Sequence, residues 1–282
     1  MKTRRGDLPC PHVERSAVVD LPQIVKRRIL RYENGVTEQR EVEVVTEYAL
    51  TVFVDGQEFV TLVCTPSDLE DLVIGFLASE GVLTSYEEIR SLTLSEEDGV
   101  AYVRLVTPVT IDPQMFGKRY IASCCGKGRQ SFYFYQDAAL AKPVEVAPVI
   151  APRQIVSLIE RMQRASDLFR TTGGVHNASL CTVDQVLLSR FDIGRHNALD
   201  KLYGYQIREK WTSDKLVIAF SGRISSEVLL KVAKMGIGIV LSKSAPTALA
   251  LQIADDLQLT TVGFVRRGAF SVYTHPERVQ LL

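Results

Sequence analysis

No apolar run in this sequence approaches the roughly 18 residues that a membrane-spanning helix needs. The first twenty residues carry charges and prolines where a signal peptide would have an apolar stretch, so a cytoplasmic protein is expected. A charge surplus is also missing. The 33 Lys and Arg are offset by 33 Asp and Glu, whereas a dedicated nucleic-acid binder carries excess basic charge to neutralise phosphates. Cysteines are few and odd in number: Cys10, Cys64, Cys124, Cys125 and Cys181. They make no disulfide framework, and no CxxC pairs offer the spacing of a zinc site. There is no GxGxxG fingerprint, no P-loop and no GxSxG elbow, so ordinary dinucleotide binding, ATP hydrolysis and esterase chemistry lack their motifs.

What remains is ordinary globular composition, 46% hydrophobic and 23% charged over 282 residues. A chain of this length buries a sizeable core without disulfide or metal staples. Residues 1–24 read as an N-terminal arm. Residues 25–112 read as a small β-rich α+β unit. Within it, Arg40–Val45, Tyr48–Val54 and Glu58–Cys64 are strands, and Asp55-Gly56 is a hairpin turn. Ser67 and Glu70 have the spacing of a capping box ahead of Leu69, Leu72, Val73, Phe76 and Leu77, which recur at helical intervals up to Gly81. Ile89–Leu94 and Val100–Val106 form a second hairpin. Residues 113–151 read as a connecting segment broken by prolines, with one short strand at Phe132–Tyr135. From residue 152 the rhythm is α/β. A helix has its face at Ile155, Leu158, Ile159, Met162, Ala165 and Phe169, and strands and helices then follow in the order β-β-α-β-α-β-α-β as far as Phe264. This order predicts a sheet with helices on both faces.

Three features could carry chemistry. The first is Cys124-Cys125, set among Lys118, Arg119, Lys127 and Arg129 with glycines interleaved. Neighbouring cations favour the thiolate, the nucleophilic form of cysteine, and glycines let the backbone bring sulfur to a partner. The alternative is a basic loop holding two small residues. Cys64 and Cys181 fall at or within strands and read as apolar fillers.

The second feature is a set of turns where strands and helices meet. These are Thr171-Thr172-Gly173-Gly174-Val175-His176, Asp192-Ile193-Gly194-Arg195-His196-Asn197, Ser221-Gly222-Arg223 and Ser244-Ala245-Pro246-Thr247. Strand carboxyl ends and the adjoining helix N-termini bind anions in open α/β sheets. Thr172, Gly173, His176, Arg195, His196, Ser221, Arg223 and Ser244 are therefore candidate ligand contacts for phosphate or pyrophosphate. Read singly, each turn is equally a helix cap. His176, Asp192, Asp200 and His196 leave open a competing reading as a hydrolase or phosphotransferase working by acid–base chemistry. The third feature is Gly263-Phe264-Val265-Arg266-Arg267-Gly268, whose arginines suit a guanine or phosphate clamp, or equally a solvated turn.

These motifs in their order give the chain a resemblance to a known family. Arg31-Tyr32-Glu33-Asn34-Gly35, Cys64-Thr65-Pro66, Gly75-Phe76-Leu77, Arg170 to His176, Asp192 to Asn197 with Asp200-Lys201, Ser221-Gly222-Arg223, Ser244 to Thr247, Gly263-Phe264 and Val272-Tyr273-Thr274 resemble the formate dehydrogenase accessory sulfurtransferases, the FdhD/NarQ family. The resemblance runs from about Arg28 to Arg278. It implies a sulfurtransferase that takes sulfur as a cysteine persulfide from a cysteine desulfurase. The sulfur then passes to the molybdenum (or tungsten) bis-molybdopterin guanine dinucleotide cofactor before that cofactor enters formate dehydrogenase. It implies a cytoplasmic homodimer, and for residues 152–282 a three-layer α-β-α domain resembling cytidine deaminase; the balanced charge and the short apolar runs add the expectation of neither a nucleic-acid nor a membrane partner. The deaminase zinc signature is absent, so no metal ligands and no zinc deamination are expected.

The family's sulfur loop usually reads Ser-Cys-Gly-x-Cys-Gly, whereas here it reads Ser123-Cys124-Cys125-Gly126-Lys127-Gly128. Ungapped alignment makes Cys124 the persulfide carrier and leaves Cys125 as its helper or substitute. The cofactor contacts carry over to Phe264, Val265, Arg266, Arg267, Gly268 and Ala269, with GDP as a mimic of the guanine end. The altered cysteine spacing keeps a second reading open, a non-catalytic chaperone that holds the cofactor for a formate dehydrogenase-type enzyme.

Overall fold

The computed structural model describes residues 21–108 and 141–281, together with the backbone of residues 12–15 and 120–121. Two six-stranded mixed sheets and one long two-stranded ribbon make up its β structure. The first sheet runs β1 (His12–Arg15), β6 (Ile89–Ser95), β7 (Val100–Leu105), β4 (Tyr48–Val54), β5 (Gln57–Cys64) and β8 (Tyr120–Ile121). Its hairpin β4–β5 turns at Asp55-Gly56, where φ is 48° and 83°, the doubly positive geometry that two-residue hairpin loops require. Strand alternation turns Leu50, Val52, Val54, Leu62 and Cys64 inward against helix α1 (Leu69–Ser79) to form one core. The strands β1 and β8 come from the stretches expected to be an arm and a connection. Phe132–Tyr135 lies outside the described residues.

The second sheet runs β10 (Val186–Asp192), β9 (His176–Cys181), β11 (Val217–Phe220), β12 (Ile239–Ser242), β13 (Thr260–Arg266) and β14 (Ala269–Thr274). β11, β12 and β13 are parallel, and β9, β10 and β14 are antiparallel to their neighbours. Helix α2 (Pro152–Arg164) packs Ile155, Leu158, Ile159 and Met162 on one face, against Cys181, Val217, Ala219, Ile239 and Leu241. Helices α4 (Arg195–Arg208), α5 (Ser226–Lys234) and α6 (Ala248–Asp256) cover the other face over Ala178, Leu180, Ile218, Phe220 and Val240. The layers are helix, sheet, helix, as the element order predicts.

Two local expectations need correction, and one strand was not expected. The capping box at Ser67 and Glu70 does not form. The N-cap of α1 is Asp68, in a left-handed conformation (φ 52°) with no side-chain cap bond, because Ser67 Oγ is drawn instead toward Lys201 Nζ, 3.4 Å away. The helix from 152 does not continue to Phe169. It stops at Arg164, and Ser166 caps a separate short helix α3 (Asp167–Thr172) by accepting from the Phe169 amide at 3.1 Å. Phe169 consequently leaves the buried face. The strand β13 is followed by an antiparallel partner, β14, across the turn Arg267-Gly268.

The two sheets are joined by a very close helix crossing. A Cβ on Gly75 of α1 would lie 1.7 Å from the Asp200 carbonyl oxygen, and one on Gly204 of α4 would lie 1.9 Å from that of Asp71. Only glycine permits the two backbones to approach this closely. The ribbon of β2 (Ile24–Glu33) and β3 (Val36–Val45) stands apart from both sheets, closed by Asn34-Gly35. Leu30 and Tyr32 on it are 69% and 73% exposed. At its base, Val45 lies against Gly174.

Candidate ligand cavity at the sheet edge

Because β9 runs antiparallel to β11, its first residues lie beside the carboxyl ends of the parallel strands. A cavity of about 350 Å³ opens there, within the roughly 300–1,000 Å³ usual for small-molecule sites. Its walls are Gln163, Phe169, Gly173, Gly174, Val175, His176, Asn177, Ser221, Lys243 and Ser244. Four of the residues expected to contact ligand, Gly173, His176, Ser221 and Ser244, thus come together from three separate turns. Gly173 ends α3 with φ 64°, a left-handed C-cap that turns the chain toward β9. The Thr172 hydroxyl braces this turn, donating to the Leu168 carbonyl at 2.6 Å and accepting from the Gly174 amide at 3.1 Å. Ser221 is tied to the Asn177 backbone by its side chain and its own amide. The Asn177 amide donates to Ser221 Oγ at 2.8 Å, and the Ser221 amide donates to the Asn177 carbonyl at 2.9 Å.

The remaining candidates sit around this cavity. Phe264, at φ 53°, donates its amide to the Ser244 carbonyl at 3.1 Å, so the glycine-arginine segment begins next to the wall. Val265 is buried in the core. The Arg266 guanidinium lies over the Phe264 ring, 5.4 Å from its centre. Arg267 and Gly268 form the exposed turn into Ala269. Arg195 opens α4, Arg223 is exposed, and His196 faces Glu227 Oε2 at 3.3 Å. None of these arginines lines the cavity. Among the described residues the lining cation is Lys243, which the sequence reading missed although it directly precedes the Ser244 turn. Asn177 was missed for a different reason, since inside a strand it carries no local signal. Burial, and then the Arg195 charge, hold His176 below the ordinary imidazole value against the opposing pull of Asp192. The ring facing the cavity is therefore neutral at neutral pH. Cys124 and Cys125, with the cations flanking them, lie outside the described residues.

The aspartates of the competing hydrolase reading are engaged elsewhere. Asp192 is fully buried and bonded on both oxygens. Its Oδ1 accepts from the Gly194 amide at 2.8 Å and from Asn197 Nδ2 at 2.9 Å. Its Oδ2 accepts from the Thr65 amide and hydroxyl, each at 3.0 Å, and pairs with Lys201 Nζ at 2.8 Å. Lys201 is itself fully buried and also donates to Thr65 Oγ1 at 2.8 Å and the Phe191 carbonyl at 3.2 Å. Asp200 pairs with Lys231 and accepts from Ser79. Both carboxylates stitch the two sheets together and are unavailable as general bases. Burial first, then Asp192, pushes the neighbouring Cys64 thiol up to about 12, with Lys201 opposing, so Cys64 stays an unreactive thiol.

Fold and site together define an α/β protein with a cavity at the carboxyl edge of its parallel strands, walled among the described residues by hydroxyls, glycines, one histidine and one lysine. Comparison with known proteins narrows this class. The FdhD/NarQ family model matches residues 45–280, and the chain belongs to that family. The "Sulfur carrier protein FdhD" of Bacillus subtilis (strain 168) is 54% identical over 254 residues, covering 90% of this chain and 97% of that protein. That of Halalkalibacterium halodurans is 51% identical over 259 residues, covering 92% and 96%. The crystal structure of a protein from Desulfotalea psychrophila, described as a formate dehydrogenase accessory protein, shares the fold. Its TM-score is 0.75 at 23% identity, covering 92% of this chain and all of that one.

Proposed function

We propose that the protein is a sulfur carrier for the maturation of formate dehydrogenase, and that it delivers sulfur to a bis-molybdopterin guanine dinucleotide cofactor held in this cavity as substrate. The observation that carries the reading is the convergence of Gly173, His176, Ser221 and Ser244 on one cavity, with Phe264 bonded to its wall. Membership of a family with sulfur carriers at 54% identity supports it. Lys243 supplies the positive charge and Ser221 and Ser244 the hydroxyls that a pyrophosphate would use.

In this reading the Cys124 thiolate attacks the outer sulfur of a cysteine desulfurase persulfide. The S–S bond breaks, the desulfurase thiolate leaves, and Cys124 holds the outer sulfur as its own persulfide. A second thiol, Cys125 or an external one, then attacks Cys124 Sγ. The outer sulfur leaves with both bonding electrons for the metal of the cofactor, and a disulfide remains to be reduced. The reading carries with it a cytoplasmic location, a homodimer, docking to the formate dehydrogenase apoenzyme and kinship of the C-terminal layers with cytidine deaminase.

The test is peptide mapping by mass spectrometry after incubation with a cysteine desulfurase and cysteine. A reductant-labile gain of one sulfur on the Cys124–Cys125 peptide is expected, lost in the variant carrying both Cys124→Ala and Cys125→Ala. No adduct, with guanine-nucleotide binding retained, would overturn sulfur carriage and leave the cofactor chaperone.

A further inference from the structure

The ribbon of β2 and β3 is long, and its outer part is bare. A two-stranded hairpin is marginally stable in water unless further strands or a helix cover it. Here α3 meets β3, and Val45 lies against Gly174 at the base, but every residue of β2 from Lys26 to Glu33 is exposed. Tyr32 and Leu30 of β2 are the most exposed large apolar side chains among the described residues. Neither strand has a second neighbour there. Since β3 is the strand that meets the body, the open edge is that of β2.

The backbone of this edge has a fixed polarity. The Thr46 amide donates to the Gln23 carbonyl at 2.9 Å. In the same register Glu33 faces Val36 across the two-residue turn Asn34-Gly35, which closes on a hydrogen-bonded pair. Odd-numbered residues of β2 thus turn their amides and carbonyls to β3, and Arg28, Leu30 and Tyr32 turn theirs outward. A second copy related by a two-fold axis would meet this edge antiparallel, outward residues opposite outward residues. With the axis at Leu30, Leu30 meets Leu30, Arg28 meets the Tyr32 ring as a cation over an aromatic face, and Arg27 meets Glu33. The last is a non-hydrogen-bonded pair, in which side chains approach closest. Neighbouring registers set Arg27 against Arg31 or Arg31 against itself, and the register centred on Arg28 sets that residue against itself. Like charges placed opposite each other disfavour all of these.

We propose that the outer edge of β2 is the docking surface for a second copy of this chain. The two β2 strands pair antiparallel about a two-fold axis at Leu30 and make one four-stranded sheet of the two ribbons. The occupant is a second copy because the strand is complementary to itself in charge and in backbone polarity. The inference rests on the homodimer that the proposed function carries, and it supplies the surface.

The experiment is sedimentation equilibrium of the full chain, wild type and variants. The wild type is expected to be a dimer. Leu30→Asp sets two carboxylates against each other at the axis and is expected to leave the chain monomeric. Arg27→Glu and Glu33→Arg each set like charges opposite one another at two symmetry-related places, and each is expected to weaken the dimer about tenfold. Glu33 also pairs with Arg31 of its own strand at 3.1 Å, so the variant carrying both reversals is the control. It sets Glu against Arg again and is expected to return to within about threefold of the wild type. Dimers of wild-type strength in Leu30→Asp and in both single reversals would overturn the inference and leave the homodimer to another surface. Weakening that the double reversal does not recover would overturn it as well. A monomeric wild type would overturn the inference and the homodimer together, while sulfur carriage would stand or fall separately on the persulfide adduct.

Discussion

Replacing Lys201 by Met removes the countercharge of Asp192 together with the bonds that Lys201 donates to Thr65 Oγ1 and the Phe191 carbonyl. Both side chains are fully buried, and their charged atoms are 2.8 Å apart. The variant leaves the carboxylate with its bonds from Thr65, Gly194 and Asn197 but without a cation. Breaking a buried pair by deleting one partner costs about 3–5 kcal/mol. With a urea slope of about 3 kcal/mol/M, the unfolding midpoint falls by on the order of 1–2 M at unchanged slope. Following the transition by circular dichroism measures this. Adding Asp192→Asn to Lys201→Met removes the stranded charge, so the double variant is expected to be more stable than the sum of the single losses by about 1–3 kcal/mol. A loss below about 1 kcal/mol for Lys201→Met, or strict additivity in the double variant, would refute the claim that this pair holds the sheets together.

Two further outcomes follow from the geometry. Gly204→Ala raises intrinsic helix propensity by about 1 kcal/mol. Its Cβ would nevertheless meet the Asp71 carbonyl oxygen at 1.9 Å, so thermal melts are expected to show a loss of about 3 kcal/mol or more as the helices are forced apart. His176 is held below its ordinary value in the folded chain, so the unfolded chain takes up the proton first as pH falls through about 6.5. Stability is therefore full above that pH and lost below it, down to the folded value. His176→Gln is expected to show a smaller drop in melting temperature between pH 7.5 and 5.5 than the wild type, and an unchanged drop would count against the assignment.

The C-terminal layers were legible because β11, β12 and β13 are short apolar runs cut out by turns, and their neighbours are amphipathic helices. β14 was not, since only Phe270 and Val272 are half-buried, alternating with the exposed Ser271 and Tyr273, and so short a pattern reads as loop. The ribbon's second strand was read only in its inner part and its first not at all. Runs such as Lys26-Arg27-Arg28 and Glu41 to Glu43 mask strand alternation, and the ribbon is held by cross-strand pairing, as between Lys26 and Glu41 at 3.5 Å. For the site, glycine, hydroxyl and histidine at strand ends pointed to the edge of the sheet where the cavity opens. Which of them face the cavity depends on the path of α2 and α3, which no local pattern encodes. Asp192 resembled a catalytic acid because its partner Thr65 lies 127 residues away in sequence.

The same separation sets a timetable for synthesis. Thr65 and its neighbours emerge from the ribosome long before Asp192 and Lys201, the latter 136 residues later. At about 5–20 residues per second, the first sheet waits roughly 7–27 s for the ions that complete it. Through that interval the apolar side of α1 has no α4 to pack against. The nascent chain is thus exposed to holdase chaperones over a window whose length is written into the distance between two motifs, and circular permutation would not close it, because joining the ends sets Thr65 about as far after Lys201 as it now lies before it.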